Sequence, residues 1–456
     1  MATYDAIIVG TGQAGPALAR RLAGSGMKVA IIERARFGGT CVNTGCTPTK
    51  ALVASAYAAH TARRGAEYGF GAGEIKVDMK RVKARKDQIV GQSNRGVERS
   101  LKDLENCRVY EGHARFVSAH EMEVGTEVLN AERIFLNVGG RAGVPGIPGL
   151  DQVSYFTNSS MMDIDFLPPH LLVLGGSYIG LEFGQMYRRF GSDVTIVELG
   201  RRLTPREDED VAEAIAGFLT KEGISVRLNA NCLRVSSQGS DIVLTVDCDG
   251  TSEIRGSHLL VATGRRPNTD DLGLERAGVR QDARGYIAVD DELRTNVPGI
   301  WALGDCNGRG AFTHTAWNDY EIVAANLLDG ERRRLSDRIT AYALYTDPPL
   351  GRAGMTETEV RKSGHRALVG KIAMENVSRA WEKSETEGFM KMLIDADTKE
   401  ILGASFLGTG GDEVIHCVLD IMYAKAPYTV IERAMHIHPT VAEFIPSLLG
   451  DLTPLA

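Results

Sequence analysis

Short apolar runs separated by glycines set the rhythm of this chain. The first, Tyr4-Asp-Ala-Ile-Ile-Val9, reads as a strand buried in a parallel sheet. Glycines at 10, 12 and 15 follow, then a helical stretch from Ala17 to Ala23, then a second strand, Lys28 to Ile32, ending on Glu33. The same cadence returns at Leu171-Leu-Val-Leu174, with glycines at 175, 176 and 180, and a strand from Asp193 to Val197 that ends on Glu198. Asp208 to Glu222 reads as a helix, followed by short strands. Residues 60–110 read as mixed helix, with charges dense from Lys76 to Arg108, as in a solvated helical hairpin. Gly143 to Gly149, with Pro145 and Pro148, reads as a linker. From about Ile339 the pattern changes to alternating strands and Gly-rich turns.

Composition narrows this picture. A length of 456 residues suggests several domains, and 43% hydrophobic residues with 51 glycines suit an α/β chain with many tight turns. The net charge is −7 without a basic run, so no nucleic-acid partner is expected. Met1 to Asp5 lack a charged stretch leading into an apolar one, so no secretory signal is expected, and no apolar stretch approaches membrane-spanning length. Of seven cysteines, Cys41 and Cys46 are close together, while Cys107, Cys232, Cys248, Cys306 and Cys417 are scattered. That is no secreted disulfide framework. A cytoplasmic setting is expected, where a close cysteine pair more often does redox work. No zinc-type spacing occurs and no metal site is expected.

The densest chemistry lies at Gly38-Gly-Thr-Cys41-Val-Asn-Thr-Gly-Cys46-Thr-Pro-Thr-Lys50. In a regular helix an offset of five places two Cα atoms about 8–9 Å apart. A disulfide needs about 4.4–6.8 Å. The segment must bend if the pair is to close, and Asn43 and Gly45 tolerate unusual backbone angles. Pro48 is comfortable only near a helix start. The expectation is a distorted first turn that presents two sulfurs, then a helix to about Ala59. Two ordinary packed thiols are the plain alternative. The flanking glycines, the Pro-Thr-Lys tail and the upstream glycine pattern favour a redox pair.

That upstream pattern is Gly10-x-Gly12-x-x-Gly15 between strand and helix, with an acid, Glu33, 23 residues after the first glycine. It is a dinucleotide fingerprint: the glycines let a pyrophosphate approach the helix N-terminus, and the acid accepts from a ribose diol. In the second copy Ser177 replaces the middle glycine but still leaves room for phosphates, and Glu198 again follows Gly175 by 23 residues.

Together these motifs, over residues 4 to 450, resemble the pyridine nucleotide–disulfide oxidoreductases: lipoamide dehydrogenase, glutathione reductase, mercuric reductase and their relatives. The resemblance extends to Phe135-Leu-Asn-Val-Gly-Gly-Arg141, Ala262-Thr-Gly-Arg-Arg-Pro-Asn268, Ile300-Trp-Ala-Leu-Gly-Asp305, Tyr345-Thr-Asp-Pro-Pro-Leu-Gly-Arg352 and His436-Ile-His438-Pro-Thr-Val-Ala-Glu443. It implies an α/β fold of two Rossmann-like nucleotide-binding domains, one for FAD and one for NAD(P), plus a C-terminal α+β dimerisation domain. The implied boundaries are 1–148 for the FAD domain with its redox-active disulfide, 149–265 for the NAD(P) domain, 266–336 for a central domain completing the FAD site, and 337–456 for dimerisation.

The implied activity is transfer of electrons from NAD(P)H through FAD to a Cys41–Cys46 disulfide, and on to a small disulfide or a reactive sulfur or metal oxidant. By the same match Cys46 lies against the flavin as the charge-transfer thiolate, Cys41 attacks substrate, and His438, oriented by Glu443, is its acid/base; His436 is expected to be structural. Lys50 and Glu182 match a flavin-side ion pair. FAD is assigned to Gly10, Gly12, Gly15, Glu33, Thr40, Lys50, Gly139, Gly304 and Asp305. The nicotinamide nucleotide is assigned to Gly175, Tyr178, Gly180, Glu198 and Gly264. Tyr178 matches the tyrosine that covers the nicotinamide pocket in glutathione reductase. Glu198 would repel a 2′-phosphate, so NADH is favoured over NADPH, with Arg201 and Arg202 opposing that preference. A homodimer is implied, with each His438 serving the partner's disulfide.

The resemblance fixes the reaction better than the substrate. Lys50 and the His438 segment fit lipoamide dehydrogenase, but Tyr178 and Pro349 depart from it. The cysteine segment and Pro348-Pro349-Leu-Gly-Arg352 fit mercuric reductase, yet no cysteine follows Cys417 to match that branch's C-terminal pair. Lipoamide dehydrogenase and mercuric reductase therefore stand as alternatives. A flavin-binding sensor or assembly protein without turnover is the non-enzyme alternative, and the intact cysteine pair, His438 and Glu443 argue against it.

Overall fold

The computed structural model describes residues 1–231, 233–247 and 252–455; Cys232 and Cys248 lie outside the described residues. The first apolar run forms the strand Ala2–Val9 at the centre of a sheet ordered Cys107–Glu111, Val29–Glu33, Ala2–Val9, Glu127–Leu136, Glu121–Val124, Ala114–Ser118. The later strand Ile300–Ala302 joins Glu127–Leu136 in parallel, so the chain returns to its first sheet after leaving it for more than a hundred residues. Ile7, Ile8, Ala30 and Ile31 are fully buried, as a strand covered on both faces requires.

The second run builds a parallel sheet ordered Ser225–Arg227, Asp193–Val197, His170–Leu174, His258–Val261. An antiparallel sheet of Arg234–Gln238, Asp241–Thr245 and Glu253–Gly256 adjoins it. Where the chain leaves and re-enters the first region, Gly140–Ala142 pairs antiparallel with Arg265–Pro267. The last region is an antiparallel sheet ordered Ala341–Leu344, Leu350–Gly354, Ile401–Leu407, Phe389–Asp395, Ala367–Ala373, Thr453–Pro454. The helix Gly411–Tyr423 packs on it. This is the mixed α/β architecture expected, with two βαβ sheets and a separate C-terminal α+β part.

One core joins these regions. Leu52 and Ala56 of the helix Cys46–Arg63 pack with Phe183 and Met186 of the helix Tyr178–Phe190, and with Leu344, Leu350 and Leu407 of the last sheet. Each such large apolar side chain contributes about 1.5–3 kcal/mol on burial. The contact fixes the two helices face to face and brings a residue of the cysteine helix, Lys50, to Glu182 of the other. Charged groups add a second fastening: Arg352 and Lys391 of the last sheet meet Glu207 and Asp208, all four side chains no more than 2% exposed. Removing one partner from such a buried set costs about 3–5 kcal/mol.

Two expectations are corrected. Residues 60–110 are not helical throughout: the helix Met79–Lys102 gives way to the strand Cys107–Glu111, which pairs in parallel with Val29–Glu33. As an edge strand with only Tyr110 buried, it carries no apolar run to betray it. The cysteine segment is not one helix with a distorted first turn. It is two helices, Gly39–Asn43 and Cys46–Arg63, broken at Thr44 and Gly45. Asn43 stays helical, and its side-chain amide donates to the carbonyls of Phe37 and Gly39. Gly45 supplies the break; a Cβ there would meet the Thr40 carbonyl at 2.9 Å.

Candidate active site

The break between those helices turns both sulfurs to one cavity of about 680 Å³. Gly10, Thr11, Gly12 and Glu33 line it, as do Thr40, Cys41, Cys46 and Lys50. Gly139 follows the strand Glu127–Leu136 of the first region, Gly304, Asp305 and Thr313 come from the returning chain, Tyr178, Ile179 and Glu182 from the second region, and Tyr345 from the third. Such a volume is in the range of cofactor sites.

The walls suit a dinucleotide. Gly15 takes no side chain, since a Cβ would lie 2.2 Å from the Gly10 carbonyl; in the repeat, Gly180 stands 1.9 Å from the Gly175 carbonyl on the same construction. The helix Ala14–Gly24 thus starts tight against its strand, leaving backbone N–H groups for phosphate. Glu33 accepts from the Thr11 backbone and hydroxyl and from the Ala35 N–H, which aims it at the cavity. Asp305 is paired with Arg265 at 3.0 Å. Its turn is held by Asp319, which accepts from the Gly304 N–H at 2.7 Å. Thr40 lies with its hydroxyl 3.4 Å from the Gly140 carbonyl.

Glu198 repeats the arrangement of Glu33, accepting from the Gly176 and Gly200 N–H groups at 2.7 Å each. It sits with Gly175 and Gly180 at the ends of the second sheet, outside the cavity wall that contains Tyr178 and Glu182. Gly264 also stands off that wall, accepting from the Gly143 N–H where the chain crosses back. Arg202 donates to the Pro205 and Glu207 carbonyls, whereas the Arg201 side chain is 75% exposed.

Cys41 and Cys46 are free thiols in hydrogen-bond contact. The Cys41 thiol, donating to Cys46 and partly buried, is pushed far up. Cys46 is lowered to about 6 because Cys41 donates to it, opposed by burial, with the Thr313 hydroxyl at 3.1 Å and the Lys50 ammonium adding to the effect. Cys107, pushed up to about 11, Cys306, pushed up to about 12, and Cys417, also raised, all move the other way through burial. Among the described cysteines, Cys46 alone is poised as a thiolate near neutral pH.

Lys50 Nζ donates to both oxygens of Glu182 at 2.9 and 2.8 Å and lies 4.3 Å from the centre of the Tyr345 ring. The Tyr345 N–H donates to Glu182 at 3.1 Å. His438 and Glu443 are also together, with Nδ1 3.0 Å from the nearer carboxylate oxygen. They do not line the described cavity, and the His438 side chain is 75% exposed. His436 Nδ1 lies 3.0 Å from the Ala434 carbonyl. Sequence reading missed Thr313, Tyr345 and Glu207. A threonine at a helix start, a tyrosine at a strand end and one more acid in a charged loop carry no spacing signal.

Comparison with known proteins agrees with this geometry. The family model for pyridine nucleotide-disulphide oxidoreductase matches residues 4–319, and the model for the dimerisation domain of that family matches residues 340–448. The chain is 36% identical over 458 residues to the probable pyridine nucleotide-disulfide oxidoreductase RclA of Escherichia coli K12, covering 99% of both. It is 35% identical to a mercuric reductase of Streptomyces lividans, covering 96% of this chain and 94% of that one. A dihydrolipoyl dehydrogenase of Cupriavidus necator is 32% identical, with 96% of each covered. The solved Cu(II) complex of E. coli RclA, described as an HOCl-induced flavoprotein disulfide reductase, superposes with a TM-score of 0.91 at 35% identity, covering 99% of both chains. No helix among the described residues is long and apolar enough to cross a membrane. The chain therefore belongs to the pyridine nucleotide-disulphide oxidoreductases, FAD-dependent flavoprotein enzymes that use NAD(P)H, and carries that family's dimerisation domain.

Proposed function

We propose that this enzyme is an NADH-linked disulfide reductase in which Cys41 exchanges with the acceptor and Cys46 resolves the product. The observation that carries the reading is the placement of Cys41 and Cys46, with the Thr313 hydroxyl and Lys50, in one wall of a cavity large enough for a cofactor. FAD, when bound, relays two electrons from the nicotinamide to the cysteine pair. Gly10, Gly12, Gly15, Glu33, Thr40, Lys50, Gly139, Gly304 and Asp305 would hold it. Gly175, Gly180, Glu198, Gly264 and Tyr178 would serve the nicotinamide nucleotide, within the division into 1–148, 149–265, 266–336 and 337–456 stated above.

With the pair reduced, the Cys41 thiol loses its proton to His438 and attacks one sulfur of the acceptor disulfide. The acceptor S–S bond breaks, and its leaving thiolate takes the proton from His438. The Cys46 thiolate then attacks Cys41 in the mixed disulfide, the Cys41–Cys46 bond re-forms, and the second acceptor sulfur leaves as a thiolate that takes its proton from solvent. Glu443 keeps His438 Nδ1 occupied, so Nε2 carries the proton traffic. Lys50 and Thr313 favour the charge at Cys46, and Glu182 fixes the Lys50 ammonium in place.

His438 would act on the partner's cysteines. Its exposure, with Met435 98% and Ile437 79% exposed beside it, supports a surface that a second copy covers. NADH preference rests on Glu198, with Arg202 tied back to its own loop. A cytoplasmic setting rests on the cysteine usage. A soft metal ion as acceptor is the second reading, favoured by the Cu(II) complex of RclA and the mercuric reductase likeness. Steady-state NADH oxidation with lipoamide, glutathione disulfide, Cu(II), Hg(II) and small oxidants separates these readings. Turnover with none of them would return the non-catalytic flavoprotein as the better account.

A further inference from the structure

Tyr178 is not a free ring in the cavity wall. Its hydroxyl donates to Glu207 Oε1 at 2.7 Å. The same oxygen accepts from the Tyr342 hydroxyl at 2.7 Å. The other oxygen, Oε2, accepts from Arg352 Nε at 3.1 Å and Nη2 at 2.9 Å. Glu207 thus takes four hydrogen bonds, with its side chain 0% and that of Arg352 1% exposed. Tyr342 and Arg352 lie on the paired strands Ala341–Leu344 and Leu350–Gly354 of the C-terminal sheet. The Tyr178 ring also packs at 5.5 Å from Tyr342 and 6.2 Å from Phe312, centre to centre.

A carboxylate with a buried guanidinium as counter-ion stays charged, and hydrogen bonds to a charged acceptor are the strong ones. Burial, with Glu207 adding to it, pushes the Tyr178 phenol far above its ordinary range, so it remains a donor. The loop bearing Glu207 cannot yield easily, because Arg352 and Lys391 also hold the adjacent Asp208. The anchor is thus held from several sides, so opening this wall would fall to the ring.

We propose that Glu207 is a positioning residue for nicotinamide entry: it tethers Tyr178 in the cavity wall and references the ring to the C-terminal sheet through Tyr342 and Arg352. This rests on the reading that a nicotinamide nucleotide binds at the second glycine fingerprint and brings its ring to the place Tyr178 covers. Entry then requires the phenol to leave a buried carboxylate, so part of the binding energy of the dinucleotide is spent on opening.

The test is calorimetric titration of the oxidised holoenzyme with NAD⁺, together with KM and kcat for NADH, in wild type, Tyr178→Phe, Tyr342→Phe and Tyr178→Ala. Tyr178→Phe keeps the ring and deletes the tether, so the Kd for NAD⁺ should fall about tenfold, as for loss of one hydrogen bond to a charged group. KM for NADH should fall with it while KM for the acceptor holds. Tyr342→Phe removes a neighbouring bond to the same oxygen but leaves the tether, so its Kd should stay within about twofold of wild type. An unchanged or raised Kd in Tyr178→Phe, with Tyr178→Ala still altering it, overturns the tether while leaving the nicotinamide reading in place. No change in either Tyr178 variant overturns both. Equal tightening in Tyr178→Phe and Tyr342→Phe assigns the effect to general loosening of the cluster and also overturns the tether.

Discussion

Thr313 sets its hydroxyl 3.1 Å from the sulfur of Cys46, although 267 residues separate them in the chain. The returning strand Ile300–Ala302 makes this contact, because it delivers the start of the helix Thr313–Ala324 to the cysteine helix. The relationship gives the site a pH signature. Cys46 is lowered from an ordinary thiol value of 9.0 to about 6, so in the reduced enzyme its thiolate is populated above that pH and lost as pH falls through it. The long-wavelength absorption of a thiolate beside flavin should fade with a midpoint near pH 6. Thr313→Val removes a donor to the charged form and should raise that midpoint by about one unit. Absorbance titration of both reduced proteins checks this, and coincident midpoints would show that Thr313 does not hold the thiolate.

Nicotinamide choice should follow Glu198, whose carboxylate is fixed by the Gly176 and Gly200 N–H groups. On the proposed assignment, Glu198→Ala removes a negative charge from the ribose end of the nicotinamide site. The ratio of kcat/KM for NADPH to that for NADH should rise roughly tenfold, the size expected for one like-charge contact near the surface. A wild type that already prefers NADPH strongly would mean that exposed Arg201 outweighs Glu198.

The shared-site reading predicts rescue between two dead enzymes. Cys46→Ser and His438→Ala homodimers should each be nearly inactive. In a mixed dimer, one site combines the intact cysteines of one chain with the intact His438 of the other. Co-expression should restore part of the activity. A verified mixed dimer without activity would place each histidine in the site of its own chain.

Much of this was readable in the residues because it depends on local spacing. Gly10, Gly15 and Glu33, and again Gly175, Gly180 and Glu198, sit in positions that close backbone approach and strand ends dictate. Lys50 with Glu182 and His438 with Glu443 were paired by family match, and the structure brings each pair into contact. Contacts made only by tertiary return were not legible. Thr313 reaches Cys46, and Tyr345 reaches Lys50, through packing of separate sheets rather than through any local pattern. The strand Cys107–Glu111 was hidden for another reason: at a sheet edge, two of its five residues are exposed and only Tyr110 is buried, so no apolar run separates it from the charged stretch before it.

The central claim is that Cys46 is the flavin-side thiolate and Cys41 the thiol that meets the acceptor. The visible spectrum tests it, taken for wild type after anaerobic reduction with one two-electron equivalent and for Cys41→Ser and Cys46→Ser with the flavin still oxidised, since neither variant has a disulfide to take the electrons. Reduced wild type should develop a long-wavelength charge-transfer band, oxidised Cys41→Ser should show one from its remaining Cys46 thiolate, and Cys46→Ser should show none. A band that persists in Cys46→Ser and vanishes in Cys41→Ser would contradict the assignment and exchange the roles of the two cysteines.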